Sequence, residues 1–170
     1  RGLDMKLSIR QLTVNAMLAA IYVVVTIFLP SYGPLQLRLS EMFAHLPVFN
    51  RKYSIGLILG VAIANTQSSL GISDVIFGTI HTIVSIWLVS LIIKESDSMI
   101  KKLVINSAVF SLTSFILALM VGVLTEQMAI FWTLYGSFAI SIALVMLVTI
   151  PVIIILDKRV NLNKVMEERA

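Results

Sequence analysis

The stretch that decides the fold is the run AIFWTLYGSFAISIALVMLVTIPVIIIL at residues 129–156, which contains no charged side chain. A helix needs about 20 apolar residues to cross a hydrocarbon core about 30 Å thick. Strands of a membrane barrel would instead alternate in segments of about 10 residues. The run therefore predicts a membrane-spanning helix, and it ends at the charged group Asp157-Lys158-Arg159.

The rest of the chain repeats this pattern. Of its 170 residues, 58% are hydrophobic and 13% are charged, and the mean hydropathy is +0.98. Apolar runs predict six transmembrane segments, at 12–29, 35–49, 53–70, 74–93, 103–124 and 129–156. We therefore expect an all-α, polytopic membrane protein with one six-helix domain at residues 5–170. Residues 1–4 precede Met5 and are interpreted as an expression remnant.

The basic residues sort to one side of these segments. With six spans, every Lys and Arg except Arg38 falls on the side of the termini. Cytoplasmic loops carry the excess of Lys and Arg, so both termini are predicted to be cytoplasmic. The net charge of +4 is explained in this way, and nucleic acid is not an expected partner.

The second segment carries charges inside an apolar stretch. An ionised side chain at mid-membrane costs about 2.5–3.5 kcal/mol, so such residues usually face a protein interior or a wet cavity. Arg38, Glu41 and His45 are three and four residues apart, which places them on one face of an α-helix. Two interpretations stay open: a structural Arg38–Glu41 pair, or one wall of a ligand pocket.

The third and fourth segments add a polar stripe. Asp74, Gly78 and His81 recur at helical spacing, and Asn65 lies near the same predicted depth. Ser73 is the predicted N-cap of the fourth helix, with Asp74 in its first turn. His81 and Asn65 either line a pocket or only form hydrogen bonds between helices.

The last predicted turn supplies a third outer acid and two aromatic rings. Glu126 lies in the turn, and Trp132 and Tyr135 begin the sixth segment. Aromatic residues are common at membrane interfaces, and they can also stack on a flat ligand. Both roles remain open for these two rings.

Small residues form two ridges at four-residue spacing. Ala16 and Ala20 form one on the first helix, and Gly56, Gly60 and Ala64 form another on the third. Such ridges allow close contact between helices, either inside the bundle or with another membrane subunit.

Several kinds of chemistry have no support in the sequence. There is no cysteine, no phosphate-binding loop of the G-x-x-x-x-G-K-[ST] type and no hydrolase motif. The two histidines lie on different segments without metal-binding spacing. We therefore predict a protein that is not an enzyme, with no catalytic residues, metal or cofactor.

Three short stretches carry a family resemblance. LQLRLSE at residues 35–41, Ala64-Asn65 and GISDVIFG at residues 71–78 resemble the QueT family, together with Pro47. That family consists of predicted queuosine-precursor transporters, the substrate-binding S components of energy-coupling factor (ECF) transporters. One departure is Ser141, where the family pattern often carries a glutamate. His81 is another, at a position that is usually small.

The resemblance implies an S component that captures a 7-deazaguanine such as 7-aminomethyl-7-deazaguanine at the outer face. A transmembrane coupling subunit and two cytosolic ATPase subunits would drive uptake, with Ala16 and Ala20 docking on the coupling subunit. We expect ligand-binding residues among Arg38, Glu41, Asn65, Asp74, Gly78, His81, Glu126, Trp132 and Tyr135. In this set, Glu41 or Asp74 would accept the N–H groups of a guanine-like edge, and Arg38 or Asn65 would bind its carbonyl oxygen.

Two alternatives remain for the function. The chain is either an S component for a different vitamin or nucleobase-like ligand, or a small carrier that works alone. In the second case Asp74, His81 and Glu41 would relay protons or ions.

Overall fold

The computed structural model describes residues 7–29 and 37–167. The predicted remnant at residues 1–4, the loop at 31–34 and the start of the predicted second segment therefore lie outside the described residues. Within the described residues every regular element is a helix, and there is no strand. This confirms the all-α prediction.

The elements follow one another with short connections. The α-helices are α1 (Ile9–Phe28), α2 (Leu46–Phe49), α3 (Ser54–Asn65), α4 (Ile72–Ile92), α5 (Met99–Thr113), α6 (Phe115–Leu124), α7 (Phe131–Val160) and α8 (Leu162–Met166). Three 3-10 helices lie between them, at Leu39–His45, Arg51–Tyr53 and Met128–Ile130.

Four helical stretches of the described chain are long and apolar enough to cross a membrane. They are Ile9–Phe28, Ile72–Ile92, Met99–Leu124 and Met128–Val160, with mean hydropathies of 1.9, 2.1, 2.2 and 3.0. The 12 residues of α3 extend only about 18 Å along a helix axis. The described part of the predicted second segment forms only a seven-residue 3-10 helix and the four-residue α2, so the count of six spans stays a prediction.

The second segment is not the single α-helix that the spacing of its polar residues predicts. Residues Leu39–His45 form a 3-10 helix, with three residues per turn. Arg38 and Glu41 still align at this period, but His45 is rotated by about 120° from Arg38. The prediction that all three residues share one face was therefore wrong for His45.

His45 lies inside the bundle instead. Its Nδ1 accepts a hydrogen bond of 3.1 Å from the Asn106 amide, which also donates to the Ala44 carbonyl. The ring must then carry its proton on Nε2, which lies 2.9 Å from the Met146 carbonyl oxygen. This buried network joins the 3-10 helix to α5 and α7.

Two predicted helix boundaries were wrong for identifiable reasons. Helix α4 begins at Ile72, so its N-cap is Gly71 and not Ser73. The backbone at Gly71 has φ 58°, which glycine adopts without strain. The fifth segment divides at Ser114, whose hydroxyl donates to the Ser111 carbonyl at 2.6 Å. Such side-chain bonds to nearby carbonyls compete with the helical pattern. Asp74 does lie in the first turn of α4, as predicted.

The glycine ridge of α3 packs inside the bundle. A Cβ atom at Gly56 would lie 2.6 Å from the Asn15 carbonyl oxygen, and one at Gly60 would lie 2.9 Å from Tyr22 Cβ. The backbones of α1 and α3 therefore approach more closely than any larger residue would permit. Asn15 Oδ1 also accepts a 2.7 Å bond from the Gly56 amide.

Hydrogen bonds gather several basic segments at one end of the bundle, which we call the basic end. Gln11 Nε2 donates to the Met166 carbonyl at 2.6 Å, and the Tyr53 hydroxyl donates to the Leu162 carbonyl at 2.9 Å. Arg51 donates to the Ser90 carbonyl near the end of α4. Helix α8 is thereby fixed beneath α1, and the opposite end of the bundle contains the cavity described next.

Candidate solute-binding cavity

A cavity at this opposite end is lined by side chains from five α-helices and one 3-10 helix. Its lining residues are Tyr22, Arg38, Glu41, Val61, Asn65, Asp74, Gly78, His81, Thr82, Leu117, Phe138, Ser141 and Ile142. They come from α1, the 3-10 helix at Leu39–His45 with its N-cap Arg38, α3, α4, α6 and α7. Polar groups far apart in the sequence therefore surround one space.

Asn65 connects two walls of the cavity. Its Oδ1 accepts a hydrogen bond of 3.3 Å from Arg38 Nη1, and its Nδ2 donates to the Asp74 main-chain carbonyl at 3.1 Å. The Asp74 carboxylate accepts a hydrogen bond from the Ser68 hydroxyl. Each end of the Asn65 amide therefore has one protein partner, and one N–H and one lone pair of the amide remain for a further bond.

Glu41 faces the cavity from the 3-10 helix. Its carboxylate lies beside the Tyr22 hydroxyl and the Arg38 guanidinium. The 3-10 helix is fixed to α1 by a 2.7 Å bond from the Thr26 hydroxyl to Ser40 Oγ. Glu41 is therefore held at the cavity by the attachment of its own helix as well as by its neighbours.

At Gly78 there is no room for a side chain, because the Asn65 amide occupies that space. A Cβ atom placed at Gly78 would overlap Asn65 Nδ2. The Gly78 carbonyl also accepts a 3.0 Å bond from the Thr82 hydroxyl, which lies on the same wall. This glycine lets α4 come close enough to α3 to close the cavity on that side.

His81 both joins helices and lines the cavity. Its Nε2 lies 3.0 Å from the Phe110 carbonyl oxygen, and its ring meets the Phe110 ring edge to face at 5.7 Å. A carbonyl oxygen can only accept, so Nε2 carries a proton in this arrangement. In the neutral ring Nδ1 is then an acceptor.

The structure brings together six of the nine residues in the predicted ligand-binding set. Arg38, Glu41, Asn65, Asp74, Gly78 and His81 all line the cavity. Glu126, Trp132 and Tyr135 lie outside this lining. Glu126 is exposed at a turn with φ 56°, and Trp132 is 76% exposed. The Tyr135 hydroxyl donates to the Leu112 carbonyl at 3.0 Å, and its ring stacks on Phe131.

The sequence interpretation missed several lining residues. Tyr22 and Phe138 supply the aromatic rings of the cavity, and Thr82 adds a hydroxyl. Phe138 lies one turn beyond Tyr135 on α7, the helix that also carries the two predicted rings. Tyr22 stands in an apolar run, where nothing in the residue pattern distinguishes a cavity-facing ring from a core ring.

The cavity is small, with a volume of about 60 Å³. Pockets that enclose drug-sized ligands typically measure about 300–1,000 Å³. A neighbouring cavity of about 310 Å³ shares Arg38 and Asn65 with it and is also lined by Thr26 and Ser68. The hydrogen-bonded pair Arg38–Asn65 therefore stands between the two spaces.

The predicted docking ridge lies apart from this cavity. Ala16 and Ala20 are both exposed on α1, whereas Ala19 is buried against α3. Within the described ranges, no group of three or more His, Asp or Glu residues could hold a metal ion.

These observations define the class of protein first: a multi-pass membrane protein with a cavity lined by polar groups among its helices. The family model for the QueT transporter matches residues 12–158. The chain therefore belongs to the QueT transporter family, which confirms the family resemblance and places it among transporters, not enzymes.

One curated relative shows how far the sequence similarity extends. The chain is 41% identical over 73 residues to the "Queuosine precursor transporter QueT" of Lactococcus lactis subsp. cremoris (strain MG1363). The alignment covers 41% of this chain and 43% of that protein, so less than half of the relative's length is matched. No solved structure matches the chain.

Proposed function

We propose that this chain is the substrate-binding S component of an ECF-type importer and captures a queuosine precursor of the 7-deazaguanine class. The observation that carries the proposal is the cavity, in which Glu41 and Asp74 face one space with Arg38 and His81. The family membership and the printed name of the Lactococcus relative support the choice of substrate.

The chemistry of the lining suits a guanine-like edge. Such an edge offers adjacent N–H donors and one carbonyl acceptor. Glu41 is the proposed acceptor for the paired donors, and Arg38 is the proposed donor to the carbonyl oxygen. Charge-assisted bonds of this kind are about twice as strong as neutral ones, and they reject bases without the matching donors.

The rings of Tyr22 and Phe138 are the proposed stacking partners, since they line the cavity and the rings of Trp132 and Tyr135 do not. Two carboxylates against one guanidinium favour a solute with a positive group. We therefore expect the aminomethyl precursor to bind more tightly than the nitrile precursor. The small volume implies that at least one wall moves when a bicyclic base enters.

The proposed assembly rests on the resemblance to ECF S components. That resemblance implies two cytosolic subunits that hydrolyse ATP, and the lack of a phosphate-binding loop in this sequence agrees with it. The exposed Ala16–Ala20 ridge is the proposed contact with a transmembrane coupling subunit. The basic end is proposed to face the cytoplasm, with six spans and both termini inside a bacterial plasma membrane.

A binding experiment tests the substrate proposal directly. Purified full-length protein in lipid nanodiscs is titrated calorimetrically with 7-aminomethyl-7-deazaguanine, the nitrile precursor, guanine and adenine. We expect the aminomethyl compound to bind most tightly and adenine to give no signal. Absence of binding for both precursors would overturn the substrate proposal.

An uptake experiment tests the assembly proposal. Liposomes containing this chain alone are compared with liposomes that also contain the coupling subunit and the ATPases. Uptake that requires the partners and internal ATP supports an S component. Uptake by the chain alone that depends on a pH gradient would favour the alternative, a self-sufficient carrier using Glu41, Asp74 and His81.

A further inference from the structure

A second cavity lies at the basic end and belongs to none of the roles described above. It has a volume of about 350 Å³ and is enclosed by α2 and the turn after it, by the end of α4, and by the first turns of α5. Helix α4 ends at Ile92 and α5 begins at Met99. Since both belong to membrane-spanning stretches, their ends place this cavity at the level of the lipid headgroups.

Three cations surround the mouth of this cavity. Arg51, Lys94 and Lys102 line it together with a single acid, Glu95. Arg51 Nη2 donates to the Ser90 carbonyl and Lys102 Nζ to the Glu95 carbonyl, each at 3.3 Å. Main-chain oxygens therefore orient two of the cations without neutralising them.

One basic residue nearby, Lys101, is already engaged. Among the described residues, the one salt bridge joins Lys101 to Asp97 at 2.6 Å, and Lys101 does not line the cavity. The hydrogen bond from Lys101 also lowers the pKa of the Asp97 carboxyl. Asp97 is thus paired with Lys101, and its carboxylate also accepts a 2.9 Å bond from the Lys94 main-chain N–H. In the described chain, none of the three cationic side chains at the mouth lies within salt-bridge distance of a carboxylate.

The less exposed part of the lining is mainly apolar, with the buried Asn106 as a polar member. Phe49, Ile86, Val89 and Ile93 line the cavity behind the cationic mouth. A soluble anion such as phosphate would contact the cations only and leave this apolar surface uncovered. An amphiphile with an anionic head and a hydrocarbon chain matches both parts of the lining.

We propose that this cavity binds an anionic phospholipid, with its phosphate held by Arg51, Lys94 and Lys102. The first part of an acyl chain lies against Phe49, Ile86 and Ile93. Three cations against one acid leave a net charge of +2 at the mouth, which favours a headgroup that carries a net negative charge. This site is independent of the solute cavity and of the transport proposal.

Native mass spectrometry of the full-length protein in an uncharged detergent tests this proposal. Short-chain phosphatidylglycerol, phosphatidylcholine and inorganic phosphate are titrated in separate arms. We expect retention of phosphatidylglycerol and little retention of the other two. The double variant Arg51→Gln/Lys102→Gln removes two contacts, and at roughly fivefold per charge it should weaken phosphatidylglycerol binding about 30-fold.

The matched control is Lys158→Gln/Arg159→Gln, which removes the same charge at the same end from residues outside the cavity and leaves the Lys101–Asp97 pair intact. Equal loss in both double variants would reduce the effect to general electrostatics and overturn the site. Equal retention of phosphatidylcholine would overturn the anionic headgroup. If inorganic phosphate at low millimolar concentration displaced the lipid, the acyl chain would contribute nothing to binding. That result would overturn the lipid assignment.

Discussion

At the scale of single residues, the cavity depends on groups that the sequence makes conspicuous and on others that it hides. Arg38, Glu41, Asp74 and His81 could be predicted because an ionisable side chain in an apolar segment needs a reason to be there. Tyr22 and Phe138 could not, because an aromatic ring in an apolar helix is equally at home in lipid, core or cavity. The rotation of each helix about its axis decides which of these surroundings a ring meets. A uniformly apolar pattern of residues does not reveal that rotation.

Glu41→Gln tests the proposed pairing acid. The variant keeps the shape of the side chain but loses the charge and one acceptor. Binding of the aminomethyl precursor should therefore weaken roughly tenfold to a hundredfold by calorimetry. Glu95→Gln, which lies at the basic end, is the control and should bind normally. Unchanged affinity in Glu41→Gln would return Glu41 to a structural role.

Gly78→Ala tests the close approach of α4 to Asn65. The added Cβ must displace the Asn65 amide, so the hydrogen bonds from Arg38 and to Asp74 should weaken. We expect a destabilisation of about 1–3 kcal/mol and weaker precursor binding, measured by thermal unfolding in detergent and by calorimetry. Gly136→Ala is the matched control, because a Cβ there meets nothing within 4 Å. Equal behaviour of the two variants would contradict the proposed constraint.

At the scale of elements, the long helices could be predicted from length and hydropathy, whereas the short ones could not. The 3-10 geometry of Leu39–His45 depends on where its ends are tied, through Ser40 to Thr26 and through His45 to Met146. Those hydrogen bonds are tertiary contacts, which a prediction from a 3.6-residue period does not include. Such a prediction therefore assigns His45 to the wrong face. The break at Ser114 was missed because the run of hydroxyl residues there is compatible with a continuous helix.

The contact between α1 and α3 gives a prediction at this scale. Gly56→Ala would place a Cβ against the Asn15 main-chain oxygen, and a main chain cannot move aside as a flexible side chain can. The two helices should separate, and the unfolding midpoint should fall by an amount equivalent to about 1–3 kcal/mol. Ile63→Leu, on the exposed face of α3, should leave it nearly unchanged. A stable Gly56→Ala protein would show that the helices can shift without cost.

At the scale of the whole molecule, the distribution of Lys and Arg predicts which end of the bundle faces which side of the membrane. Contacts with partner subunits are only weakly indicated by the sequence. Small exposed residues occur both on surfaces that dock a partner and on surfaces that face lipid, so they do not distinguish the two. The Ala16–Ala20 ridge therefore needs an experiment that separates capture of the solute from its delivery.

The double variant Ala16→Trp/Ala20→Trp provides that separation. It adds bulk to an exposed face of α1 and leaves the cavity lining unchanged. We expect normal precursor binding by calorimetry but loss of most ATP-driven uptake in liposomes with the partner subunits. The control Met17→Trp/Ile21→Trp lies about 100° around the same helix and should transport normally. Normal uptake by the Ala16→Trp/Ala20→Trp protein would place the docking surface elsewhere.

The buried network of His45, Asn106 and Met146 has a consequence for how the solute cavity can widen. Its bonds join three segments in a place where water does not compete for the same donors and acceptors, so this part of the bundle acts as a fixed base. At the rim, by contrast, Arg38 is joined to Asn65 by a long bond of 3.3 Å, and both residues also border the neighbouring cavity. Widening of the solute cavity should therefore begin at the rim, while the three segments of the base keep their relative positions.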